Sequence, residues 1–233
     1  SCSSGATLAT DESLVLTPLL LVVNLAYCAG MSIAMGVGYR PYVSRLAAEW
    51  DANAPGERAR ELDASLLGLD ISGFTALSER LQEKGKLGAE ELITLISRCY
   101  SGLIDIAARY SGDVLKFRGD ALLMAFEGSG HETRAACAAL AMQRLIAKGA
   151  AAGESSVGPV QLSMCAGVVS GPCHFFLVGR HHRELLVCGP SASLTLELED
   201  AAERGEVLVS ARTAEALEGL VAGERDGAYL LRA

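Results

Sequence analysis

The sequence predicts an α+β fold: a ferredoxin-like βαββαβ antiparallel sheet with helices on one face, following an N-terminal apolar segment. Three observations carry this. From Ala64 onward, short apolar runs alternate with stretches of three- and four-residue apolar spacing, in the order βα(α)ββαβ. Two of the runs, Asp113–Phe117 and Ala121–Phe126, are separated only by a tight Arg118-Gly119 turn, so they form a hairpin. The chain of 233 residues, 50% of them hydrophobic, is long enough to bury a core.

The elements follow in order. Leu14 to Gly38 carries no charged residue and is long enough to cross a bilayer. Asp11-Glu12 before it and Arg40 and Arg45 after it favour a cytoplasmic C-terminal side, and no basic stretch precedes it as in a signal peptide. Pro18, Asn24 and the small residues from Gly30 to Gly38 weaken a helix there, and Met31 or Met35 could each begin a chain. Residues 1–39 therefore read as a transmembrane helix, a start-site artefact or a buried apolar segment. Residues 40–63 read as a linker with one or two helical turns around Ser44–Trp50, broken at Asp51–Gly56. Residues 64–233 form the main domain.

Within that domain Ser65–Leu69 is short and apolar enough for a buried strand. Ser72 or Thr75 can cap the next helix, on which Phe74, Leu77 and Leu81 share a face. Leu87–Tyr110 spaces Leu92, Leu95, Ile96, Cys99, Leu103 and Ile106 for a second, longer helix. After the hairpin come an Ala-rich helix (His131–Lys148), a strand (Val160–Val169), a second hairpin (Cys173–Val178 with Glu184–Cys188), a helix from Pro190 to about Glu203 and a late strand at Val207–Ser210.

Bulk properties remove several function classes. A net charge of −8 and an isoelectric point near 5.1 argue against a nucleic-acid-binding surface, which normally needs a basic stripe. Seven cysteines, an odd number without C-x-x-C spacing, read as reduced thiols and not as a disulfide frame or zinc site. Cys173-His174, His181-His182 and Cys188 match no zinc spacing and read as a solvated hairpin tip.

The chemistry concentrates at two acids. The run Leu66-Leu67-Gly68-Leu69 ends on Asp70 and passes directly into Ile71-Ser72-Gly73-Phe74-Thr75, a helix start. Val114-Leu115-Lys116-Phe117 turns at Arg118-Gly119 and delivers Asp120. In a βαββαβ sheet the first and third strands are antiparallel neighbours, which makes the two carboxylates neighbours as well. Such a pair implies a bound cation or a raised pKa. Oxygen ligands suit Mg²⁺ or Mn²⁺, and free N–H groups at the helix start suit phosphate. Together they fit a triphosphate flanked by two metals.

LLGLDISGFTALSERL (residues 66–81) and GDVLKFRGDALLMAF (residues 112–126) resemble the catalytic domain of class III nucleotidyl cyclases, in particular the soluble, bicarbonate-responsive adenylyl cyclases and their bacterial relatives. The likeness spans roughly residues 64–210, with YRPYVSRLAAEW (residues 39–50) resembling the subgroup's N-terminus. It implies that Asp70 and Asp120, with the Ile71 carbonyl, hold two Mg²⁺ or Mn²⁺ ions. It further implies that Ile71, Ser72, Gly73, Phe74 and Thr75 wrap the β- and γ-phosphates and that ATP is cyclised to 3′,5′-cAMP with release of pyrophosphate. Lys116 stands where family members read adenine or, in the bicarbonate-responsive subgroup, line a regulatory bicarbonate pocket whose Arg would fall at Leu196.

Family sites form between two cyclase domains, and here the chain departs from the pattern. Ser193 and Glu197 stand at the Asn and Arg positions of a G-x-x-V-N-x-x-x-R pattern, and Leu186 stands where many members carry an adenine-reading acid. Serine is too short to orient a ribose as Asn would, and Glu197 would repel developing phosphate charge. The resemblance therefore implies an adenylate cyclase domain, cytoplasmic and nearly inactive as a homodimer, that needs a complementary domain on a following segment or another chain. Its ending at Leu230-Leu231-Arg232-Ala233 fits a piece of a longer protein. Two alternatives stand beside this: a catalytically inactive nucleotide-binding regulatory module, and a guanylate cyclase. A diguanylate cyclase would need a G-G-[DE]-E-F hairpin, which Phe117-Arg118-Gly119-Asp120-Ala121 lacks.

Overall fold

The strand ending at Asp70 is the backbone of the sheet. In the computed structural model, which describes residues 43–54, 56–149, 154–217 and 219–232, β1 (Ala59–Ser72) pairs antiparallel with β3 (Ala121–Glu127) on one side and with β6 (Ser163–Val178) on the other. β2 (Asp113–Arg118) closes one edge beside β3. Beyond β6 lie β8 (Val207–Val209), β10 (Ala228–Leu231) and β9 (Val221–Arg225), giving the order β2-β3-β1-β6-β8-β10-β9. β7 (Glu184–Cys188) pairs with the far end of β6, and a separate small hairpin joins β4 (Glu154–Ser155) to β5 (Gly158–Pro159). The adjacency of the first and third strands expected from sequence is present. The Leu14–Gly38 segment lies outside the described residues; among those described, no helix is long and apolar enough to cross a membrane.

Helices cover both faces of the sheet, not one. Alternation along β1 sends Leu67, Leu69 and Ile71 to a core shared with α2 (Phe74–Gln82), α3 (Lys86–Arg109) and α4 (His131–Ala147). The Ala-rich face of α4 buries Ala135, Ala138 and Ala139 completely, so that helix lies close to the sheet. The opposite face carries α1 (Arg45–Asn53) and α5 (Pro190–Ala201). α1 sends Leu46 and Trp50 onto Ala64 and Leu66. Its first turn is held by Asp113, whose carboxylate accepts from the Arg45 and Leu46 amides at 2.9 and 2.8 Å. The stretch read as a linker thus contributes a helix and the opening of β1, which begins at Ala59 rather than at Ser65.

Two further departures have physical reasons. Val160–Val169 and Cys173–Val178, expected as separate strands, join in one: β6 runs through Gly171-Pro172. On the side away from β1, β6 pairs with β8 only up to Val168 and with β7 only from His174, so the missing Pro172 N–H falls in a gap and costs no ladder bond. β8 is parallel to β6, not antiparallel, because α5 carries the chain back across the face before it re-enters the sheet.

α5 approaches the sheet closely because two glycines paired in register, Gly68 of β1 and Gly167 of β6, lie beneath it. A Cβ at Gly167 would stand 2.6 Å from the Thr195 carbonyl oxygen and 2.7 Å from the Glu199 amide nitrogen, both of them α5 backbone. Gly167→Ala should therefore lift the helix and lower unfolding free energy by about 2 kcal/mol. Gly223→Ala, in open space on β9, should change it by less than about 0.5 kcal/mol. Urea melts of the two variants check the difference.

Candidate active site

Asp70 shares its face of β1 with Gly68, toward α5, because the odd-numbered neighbours fill the core on the other side. Asp120 is exposed in the turn after β2, where Gly119 takes φ +69°. The structure brings the two carboxyls together. The Asp70 carboxyl lies above the usual carboxylate range, first through burial and then through the charge of Asp120 and a hydrogen bond between the two; the Ile71 amide and Arg118 pull it down. No group of three or more His, Cys, Asp or Glu side chains gathers as a metal site among the described residues. A pair of carboxylates with uncompensated charge still fits Mg²⁺, which takes one or two carboxylates and completes its shell with water and substrate phosphates. Cys165, opposite Asp70 in register, offers no soft ligand: burial, then Asp70 and Glu199, push its thiol up.

The segment after Asp70 differs from expectation in one respect. Neither Ser72 nor Thr75 caps α2. The Ser72 hydroxyl is engaged with that of Ser163 at 2.7 Å, and Thr75 lies inside the first turn. The cap is Gly73 at φ +113°, which gives α2 no side-chain hydrogen bond. Its first amides are thereby left for an anion. Any side chain at Gly73 would also meet the Gln161 carbonyl oxygen at 2.5 Å. The Ile71 side chain is fully buried, leaving only its backbone as a donor. Phe74 stacks on Tyr100 with ring centroids 6.2 Å apart, and Tyr100 reaches past Phe117 to donate its hydroxyl to the Asp120 carbonyl at 3.1 Å.

Lys116 does not join the two acids. Its ammonium is 2.6 Å from Glu184 of β7; burial would raise the Glu184 carboxyl, but Lys116 and His182 together outweigh burial and hold it below the usual range. Ser193 and Glu197 are exposed on the outer side of α5. Leu186 and Leu196 are half-buried. His182 of the hairpin tip pairs with Glu184 at 3.3 Å.

One feature of the site escapes sequence reasoning altogether. Arg118 donates through Nη2 to both carboxylate oxygens of Glu199, at 2.9 and 3.0 Å. Glu199 is 5% exposed, and its carboxylate occupies the space a side chain at Gly68 would fill. Burial pushes this carboxyl up to about 6, with Arg118 opposing and Asp70 adding to the rise. The only signal in the sequence is a glutamate on the inward stripe of α5, which lies between Leu198 and Asp200 and draws no notice there.

A family model described as "Adenylate and Guanylate cyclase catalytic domain" matches residues 58–233. Adenylate cyclase type 10 of Rattus norvegicus, and likewise that of Homo sapiens, is 40% identical over 63 residues, which is 26% of this chain and 4% of theirs; the chain thus matches only a small part of these relatives' length. Among solved structures, the adenylyl cyclase CyaB from P. aeruginosa superposes with a TM-score of 0.62 at 24% identity, covering 76% of this chain and 97% of that one. The guanylate cyclase domain of RhGC from Catenaria anguillulae, solved in complex with GTP, gives 0.61 at 17% identity, covering 75% and 98%.

Because Asp120 stands beside a carboxyl already strained by burial, Asp120→Asn should raise rather than lower the thermal midpoint of the metal-free protein while removing Mn²⁺ binding. Calorimetric scans with and without Mn²⁺ check both halves; a lowered midpoint would mean the two acids do not repel.

Proposed function

The chain belongs to the adenylate and guanylate cyclase catalytic-domain family, and from that premise we propose that it supplies the carboxylate half of an ATP-cyclising site completed by a second, complementary cyclase domain. The observation that carries the reading is the close pairing of Asp70 and Asp120 on neighbouring elements beside an uncapped helix start. Asp70, Asp120 and the Ile71 carbonyl are the groups that would hold two Mg²⁺ or Mn²⁺ ions. Such ions, when bound, neutralise triphosphate charge and lower the pKa of the ribose 3′-hydroxyl.

The amides from Gly73 to Thr75 receive β- and γ-phosphate oxygens at the positive end of α2. Held there, the α-phosphorus is attacked by the 3′-oxygen. The bond to the β-phosphate breaks, pyrophosphate leaves with the bonding electrons, and the hydroxyl proton passes to solvent. Ser193 and Glu197 give this chain no cationic donor for the charge developing on the α-phosphoryl group, so the partner domain supplies it.

The likeness to adenylate cyclase type 10 supports ATP over GTP, although solved relatives include guanylate cyclases and the purine is read largely by the complementary half. The same Ser193 and Glu197 favour, as the second reading, a nucleotide-binding regulatory module without turnover. Bicarbonate lacks comparable support: Lys116 is engaged by Glu184, and Leu196 stands where the subgroup's Arg would fall. The charges flanking residues 14–38 support a membrane anchor that leaves this domain on the cytoplasmic side.

Cyclic AMP formation from MnATP by the chain alone, and by the chain mixed with a cyclase domain that carries the Asn and Arg, tests the proposal. The mixture should exceed the chain alone by at least about a hundredfold, and Asp70→Asn in this chain should abolish the gain. Full turnover by the isolated chain, with no response to the partner, would overturn the shared-site reading. Nucleotide binding without turnover in the mixture would favour the regulatory one.

A further inference from the structure

A glutamate that is 5% exposed needs an explanation. Removing a carboxylate from water is costly, and pairing it with arginine rarely stabilises a fold more than well-packed apolar residues of the same size would. Stability therefore does not account for Arg118 and Glu199. Their placement does. Glu199 comes from the inner face of α5, and its carboxylate sits 2.3 Å from where a Gly68 Cβ would be, two residues before Asp70 on the same face of β1. Arg118 ends β2 and stands two residues before Asp120. The turn between them is open: nothing approaches a Cβ at Gly119 within 4 Å, and Asp120 is exposed. Two tethers hold this turn from opposite faces of the sheet. Tyr100 of α3 takes the Asp120 carbonyl on one side, and the Arg118–Glu199 pair takes the other.

We propose that Glu199 is a positioning residue: by anchoring Arg118 on the α5 side of β1 it fixes the Arg118-Gly119-Asp120 turn and so sets how tightly the Asp70–Asp120 pair takes a divalent cation. The proposal rests on the reading that this pair holds metal. Glu199 itself is not a ligand in it. The Gly68 hole, the arginine and the glutamate act as one unit drawn from β1, β2 and α5.

Mn²⁺ binding to the metal-free chain without nucleotide, followed by the electron paramagnetic resonance of free Mn²⁺, tests this. Glu199→Gln and the double variant Arg118→Met/Glu199→Met should each weaken Mn²⁺ binding about tenfold, with thermal midpoints close to wild type. The double variant leaves net charge unchanged, so its loss reports position and not long-range electrostatics. Gly68→Ala, which displaces the carboxylate, should weaken binding in the same sense, and Arg118→Lys should retain part of it. Asp70-dependent Mn²⁺ binding that is within twofold of wild type in the double variant overturns the proposal and leaves the metal reading intact. If the double variant does not fold, Glu199→Gln decides by the same twofold criterion. A wild-type chain with no Asp70-dependent Mn²⁺ binding overturns both.

Discussion

Two carboxyls held side by side at Asp70 and Asp120 are the constraint on which the site depends. Carboxylates this close repel, and Asp70 is also partly buried, so the metal-free fold holds the site at a cost. That cost is tolerable because each acid sits on a rigid support. Asp70 ends the fully packed half of β1, between β3 and β6, and Asp120 follows a hairpin fastened at both faces. A site on loops alone would relax by moving the charges apart. Here the register of β1 holds Asp70, and the contacts of Tyr100 and Arg118 hold the turn that carries Asp120.

Helix α5 packs against the face of β1 that carries Asp70. To reach the site, that helix lies directly over the sheet, which it can do only above paired glycines. Its inner stripe, Ser191, Thr195, Leu198 and Glu199, is buried, while Ser193 and Glu197 face outward. In the family resemblance the outward residues belong to a site completed across an interface. In this chain both depart from the pattern, whereas the inward side carries close packing and an ion pair beside Asp70. The residues that depart from the family pattern and the ion pair beside Asp70 therefore lie on opposite sides of one helix.

Much of this was legible in the sequence. The carboxylates at Asp70 and Asp120, their adjacency through neighbouring strands, and the extents of α3, α4 and α5 follow from apolar periodicity and one glycine turn. What was not legible falls into three physical kinds. Local breakers misled where tertiary pairing made them harmless, as at Pro172, whose missing amide falls between two partner strands. A hairpin signal was passed over: Asp226-Gly227 turns β9 into β10 with both residues at positive φ, as that dipeptide favours. Contacts between distant elements left no local trace. Asp113 capping α1, Lys116 meeting Glu184, and Glu199 seated over Gly68 depend on side chains that only the folded sheet brings together.

The central claim is that Asp70 and Asp120 together hold the cations of a nucleotide-cyclising half-site. Diffraction at the manganese absorption edge, from crystals of this chain grown with Mn²⁺ and a non-cyclisable ATP analogue, tests it most directly. The account predicts anomalous density bonded to both carboxylates, with the triphosphate against the amides at the start of α2. Manganese on other acids with Asp70 and Asp120 unoccupied, or a triphosphate seated away from α2, would contradict it.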